Sequence, residues 1–229
     1  MEFIPHKFTL DNKKIHLYES SVPNVPIIYL NSFMDVDKEL LSEIEAENLP
    51  SFSLVTINNL DWNKDMSPWF AAPFSKDDKP CTGGADEYLE LLIEKIIPAV
   101  EADLASAATW RGLAGYSLAG LFAVYSIYKT ELFERIAAMS ASLWFPDFTD
   151  YMQTHEILKD PQFIYLSLGD REDKTNNVIL KPVLINTEEA VNYFRGLGIK
   201  TEFVLNKGGH HTQPVKRTVS GIKALCAAE

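Results

Sequence analysis

The sequence predicts an α/β fold with a mostly parallel central sheet, helices on both faces and an antiparallel hairpin at the N-terminal end. Three observations predict it. Strand-like and helix-like patterns alternate along the chain, the order expected of βαβ units. The run at residues 25–30 is continuously apolar, as a strand buried on both faces is. The length of 229 residues lies within the span of about 250 that one α/β domain can reach, so residues 1–229 are expected to form a single domain.

The elements follow in order. Residues 7–10 and 14–19 flank the polar turn Asp11-Asn12-Lys13 and read as the hairpin. Residues 25–30 read as a buried strand, and residues 35–48 as a helix through Leu40, Leu41 and Ile44. Residues 52–57 form another strand. Residues 58–84 are irregular and hold Trp62, Trp69, Phe70, Phe74 and three prolines. Their aromatic content argues against disorder, and so long a segment in a compact domain is expected to be functional. Residues 85–104 form an amphipathic helix with Tyr88, Leu91, Leu92 and Ile96 on one side, and Pro98 is expected to kink or tighten its end. Strands at 109–114, 135–139, 163–168 and 201–205 alternate with helices at 117–130, 187–197 and 214–227. Gly196 and Gly198 punctuate the end of the second of these helices.

Composition narrows the function. Lys plus Arg number 21 against 32 Asp plus Glu, a net charge of −11, so nucleic acid and anionic membrane surfaces are excluded as partners. No apolar run approaches the ~18 residues of a membrane span, and the N-terminal residues show no basic and apolar pattern of a signal peptide. Cys81 and Cys226 read as unrelated free thiols in a reducing compartment, so a cytoplasmic location is expected. Neither cysteine has a Cys or His neighbour at metal-ligand spacing, and no metal or cofactor is implied. A homodimer is the expectation from base rates alone.

The segment that carries chemistry is Leu113-Ala114-Gly115-Tyr116-Ser117-Leu118-Ala119-Gly120. It joins an expected strand to an apolar helix, the context a nucleophile elbow requires. Small residues must flank a serine in so sharp a turn. Gly115 does so before Ser117; Ala119 stands where the pattern has glycine. A base for Ser117 is sought among five histidines. His6 and His16 fall in the hairpin and His155 in a polar helical stretch. His210 and His211 follow Gly208-Gly209 after the last strand, and His210 is favoured with His211 as the alternative. An acid should orient that histidine. Glu172, Asp170 and Asp173, all just after the strand at 163–168, compete for the role in that order. The oxyanion needs preorganised amides. Leu118 supplies one, and Phe33, with Ser32 as the alternative, supplies the other.

Several ordered segments resemble the putative-esterase family of α/β-hydrolases, the group of enterochelin and feruloyl esterases. They are Asp65-Met66-Ser67-Pro68, Gly83-Gly84-Ala85-Asp86 before a helix with Ile97-Pro98, residues 113–120, Ser140-Ala141-Ser142-Leu143-Trp144-Phe145, and Gly208-Gly209-His210. The resemblance runs from about Pro26 to His211. It implies an α/β-hydrolase fold, the nucleophile at Ser117, the base at His210, and the acid at Glu172, three residues after Gly169. Siderophore esterases of this type carry arginines before the Asp-x-x-Pro segment, where this chain reads Leu60-Asp61-Trp62-Asn63-Lys64. The substrate is therefore expected to be a small neutral or weakly charged ester. The short stretch between Met139 and Phe163 leaves no room for a large cap domain, and Trp62, Trp69 and Trp144 are expected to wall an open site. A carboxylic-ester hydrolase is the primary reading, with acyl transfer or non-catalytic binding on the same fold as alternatives.

Overall fold

A computed structural model describes residues 2–228. In chain order the elements are β1 (Phe3–Leu10), β2 (Lys13–Ser20), β3 (Ile27–Asn31), α1 (Asp37–Glu47), β4 (Ser53–Asn58), α2 (Trp62–Asp65), β5 (Phe70–Ala71) and β6 (Cys81–Thr82). There follow α3 (Ala85–Leu91), a π-helical turn (Leu92–Ile96), α4 (Ile97–Ala102), β7 (Arg111–Tyr116), α5 (Leu118–Ser126), β8 (Arg135–Met139) and α6 (Phe148–Thr154). The chain ends with β9 (Phe163–Gly169), α7 (Val183–Gly196), β10 (Thr201–Asn206) and α8 (Pro214–Ala227).

Eight strands form one sheet in the order β1-β2-β4-β3-β7-β8-β9-β10. The hairpin is antiparallel, β2 meets β4 antiparallel, and the pairings from β4 to β10 are parallel. The hairpin turns where expected: Asp11 and Asn12 both take positive φ, the geometry of a two-residue turn that matches strand twist. The central strands β3, β4, β8 and β9 are buried along nearly their whole length, because helices cover both faces. Helices α1 and α8 pack together on one face, over Ile28, Leu30, Leu54 and Ala137. Helices α3, α4, α5, α6 and α7 cover the other, over Tyr29, Leu113 and Ile136.

Two expectations change. Residues 58–84 are not structureless. The segment holds α2 and the small β5–β6 ladder, and the Ser67 hydroxyl ties it together, donating to Asn63 O at 2.7 Å and accepting from Gly83 N at 3.0 Å. Gly83 has φ +77°, and a Cβ there would lie 2.7 Å from Trp69 Cα, so the crossing requires glycine. Pro98, expected to kink or tighten the end of the helix, is instead preceded by a widened turn, and the helix continues past it to Ala102. Proline lacks an N–H and crowds the carbonyl four residues back, and the chain widens into the π turn immediately before it. No helix among the described residues is long and apolar enough to cross a membrane.

Candidate active site

β7 lies at the centre of the sheet, and its parallel neighbours point their C-terminal ends the same way. Loops leaving those ends therefore converge. At the end of β7 the chain reverses into α5 at Ser117, which has φ 60° and ψ −124°. A non-glycine residue there stores strain of order 1–3 kcal/mol and persists only if its surroundings hold it. They do: Ser117 N donates to Met139 O at 3.0 Å, and Ser117 O accepts from the amides of Gly120, Leu121 and Ser142 at 3.0–3.1 Å. Gly115 shows why the corner needs small residues. A Cβ on it would meet Ala119 O at 2.2 Å and Ala119 Cβ at 2.7 Å. With Gly115 bare, alanine is accommodated at position 119.

The loop after β10 brings His210 over this corner. His210 Nε2 lies 3.0 Å from Ser117 Oγ. Nδ1 lies 2.7 Å from Glu172 Oε2. An ionised carboxylate only accepts, so Nδ1 carries the hydrogen and Nε2 presents its lone pair to the serine hydroxyl. Glu172 is held by its other oxygen, which accepts from Gly169 N at 2.7 Å and Ser140 Oγ at 2.8 Å. Burial by itself would raise the Glu172 carboxyl. The hydrogen bond and charge of His210, with the Gly169 amide and the Ser140 hydroxyl, outweigh that and hold it below the ordinary carboxylate range.

The other two carboxylates are engaged elsewhere. Asp170 Oδ1 accepts from Gly208 N at 2.8 Å, and Asp173 pairs with Lys174 at 2.7 Å. His211 is exposed and packs its ring edge-on against His210. On the other side of the corner, Ser32 N donates to Ile57 O at 2.9 Å, within reach of the β4 ladder. Phe33 therefore carries the first amide of the loop beyond the ladder. Leu118 opens α5, so its amide has no intrahelical acceptor, and the positive end of the helix favours negative charge beside Ser117.

A cavity of about 520 Å³ opens over Ser117. Phe33 and Trp62 meet edge-to-face at 5.1 Å on one wall, and Phe74 and Trp144 at 5.2 Å on another. No Lys or Arg lies among the described residues that line it; its charged side chains are Asp78 and Glu172. Of the three tryptophans expected at the walls, Trp62 and Trp144 line the cavity and Trp69 does not. Trp69 donates to Pro146 O at 3.0 Å and packs on Phe145, Phe148 and Tyr151, which turns it into the helical layer around α6. Among the described residues one group could hold a metal ion: His16, Asp35 and Asp37, with ligand atoms within 4.8 Å of one another. His16 and Asp37 already bond each other, and none of the three lines the cavity.

Sequence reasoning missed Tyr116 and Arg217. Tyr116 Oη donates to His210 O at 2.6 Å, and Arg217, 4% exposed, reaches Glu172 from α8. The signal for Arg217 was there: it falls four residues before Gly221 and eight before Leu225, on the buried stripe of its helix.

The family profile described as putative esterase matches residues 31–222. The uncharacterized protein YbbA of Bacillus subtilis (strain 168) is 23% identical over 220 residues, covering 91% of this chain and 88% of YbbA. Among solved structures, the siderophore hydrolase EstA of Aspergillus nidulans superposes with a TM-score of 0.77 at 17% identity, over 98% of this chain and 94% of EstA. An IroE-like serine hydrolase from Shewanella oneidensis superposes with a TM-score of 0.80 at 16% identity, over 98% and 80% of the two chains. These likenesses show the α/β-hydrolase fold, and the profile, which spans most of the chain, shows that the protein belongs to the putative esterase family of carboxylic-ester hydrolases.

Proposed function

We propose that the protein hydrolyses a small neutral or weakly charged carboxylic ester through an acyl-enzyme on Ser117. The observation that carries this is the hydrogen-bonded line from Ser117 Oγ through His210 to Glu172 at the mouth of the cavity. Ser117 Oγ attacks the acyl carbon while His210 Nε2 takes its proton. Glu172 keeps the imidazole in the required tautomer and stabilises the imidazolium. The Phe33 and Leu118 amides hold the oxyanion. The C–O bond to the alcohol then breaks, and the alcohol leaves with the proton from Nε2. Water, activated by the same nitrogen, releases the acid and restores Ser117.

The cavity supports the substrate reading. An apolar pocket without a lysine or arginine, in a chain of net charge −11, offers nothing to pair with an anionic substrate. The experiment is hydrolysis of p-nitrophenyl esters from acetate to octanoate by wild type and Ser117→Ala. The variant should lose ~10³-fold or more in kcat. Equal activity in both proteins contradicts the assignment.

A further inference from the structure

Behind the three residues of the hydrogen-bonded line sits a buried cation that reaches His210 from two sides. Arg217 stands in the first turns of α8 and is 4% exposed. Its Nη1 donates to Glu172 Oε1 at 3.1 Å and to Ser140 Oγ at 3.0 Å, and lies 3.3 Å from Tyr116 Oη. Its Nη2 donates to Lys207 O at 3.1 Å. One guanidinium thus joins the ends of β7, β8, β9 and β10, the four strands whose loops build the site. Gly169 makes room for this: a Cβ there would lie 2.3 Å from Gly208 O and 3.0 Å from Arg217 Nη2.

Two lines run from Arg217 to His210, one to its imidazole and one to its backbone. One passes through Glu172 to Nδ1. The other passes through Tyr116, whose hydroxyl accepts from Arg217 and donates to the His210 carbonyl. Burying a guanidinium is costly unless it is paired and hydrogen-bonded, and this one pairs with Glu172 and donates to Ser140, Tyr116 and Lys207. A planar fork fits four acceptors on four loops in a way an ammonium cannot.

We infer that Arg217 is a positioning residue for the proposed ester hydrolysis: its fork fixes the Glu172 carboxylate and, through Tyr116, the backbone of His210, and so sets the orientation of the imidazole toward Ser117.

The inference rests on the ester-hydrolase reading, and the experiment separates the two. Steady-state kcat and KM on a neutral p-nitrophenyl ester are measured for wild type, Ser117→Ala, Arg217→Met, Arg217→Gln and Arg217→Lys, with thermal unfolding as the folding check. Arg217 does not line the cavity, so a misplaced base should slow the chemical step and leave substrate binding alone. Lysine keeps the charge and loses the fork, so kcat should fall by about 10-fold with KM within about 2-fold of wild type. Folded methionine and glutamine variants should lose at least as much kcat. Wild-type kcat in the lysine variant, or a loss that falls on KM alone, overturns the inference, and that result stands even if both neutral variants fail to fold. Activity retained in Ser117→Ala instead defeats the ester-hydrolase reading itself.

Discussion

Among the described residues two histidines bond a carboxylate through Nδ1, and they sit in opposite surroundings. His16 on β2 bonds Asp37, the first residue of α1, and Tyr18 donates to the same carboxylate oxygen at 2.6 Å. His16 and Asp37 are 8% and 5% exposed, closed between the sheet and the helix. Burial, and then Asp37, push the Tyr18 phenol well above its ordinary range, so it remains a donor. His210 bonds Glu172 in the same manner, but its second nitrogen meets Ser117 Oγ beneath an open cavity. A histidine–carboxylate pair is therefore not itself a site. What sets His210 apart is that a hydroxyl on a strained backbone corner and an open cavity lie at its other end.

That contrast can be broken by substitution at each end. Glu172→Gln keeps the shape at His210 but removes the negative charge and the tautomer preference. Activity should fall by ~10³–10⁴-fold in kcat, read in steady-state assays. The same variant sharpens the pH behaviour. Because the folded-state Glu172 carboxyl is held below its ordinary value, its contribution to stability is present above about pH 4.3 and is lost as pH falls through the lowered value. Acid unfolding monitored by circular dichroism should show that loss in wild type and not in Glu172→Gln. His16→Ala should act differently. Removing a hydrogen bond to a buried charged group should lower unfolding stability by about 1.5–3 kcal/mol. Its kcat, measured well below the unfolding transition, should stay within about 3-fold of wild type, because His16 does not line the cavity. A loss of activity at His16 as large as that at Glu172 would erase the distinction between the two pairs.

Much of this was legible along the chain, for physical reasons. The elbow is a local structure, so Gly115, Ser117 and the apolar helix behind them announce it within eight residues. Gly208-Gly209 before His210 is equally local. Strand and helix periodicity placed the strands of the main sheet and the long helices, with β8 and α8 at their observed ends, but not the short α2, β5, β6 and α6. What stayed hidden depends on distant contacts. Asp170, Glu172 and Asp173 all follow β9, and only the approach of the β10 loop selects Glu172 for His210. His16 and Asp37 are 21 residues apart, and Arg217 lies 45 residues from Glu172. Trp69 and Trp144 look alike in sequence; the turn of the β5–β6 segment sends one toward α6 and leaves the other at the cavity.

The central claim is that the hydroxyl at the end of β7 is the reacting atom and that His210, unlike His16, activates it. It is tested most directly with a fluorophosphonate, followed by peptide mass mapping of the adduct. The label should be found on Ser117 in wild type and in His16→Ala, be absent in Ser117→Ala, and form far more slowly in His210→Ala. A label on another residue, or labelling of His210→Ala at the wild-type rate, would contradict the account.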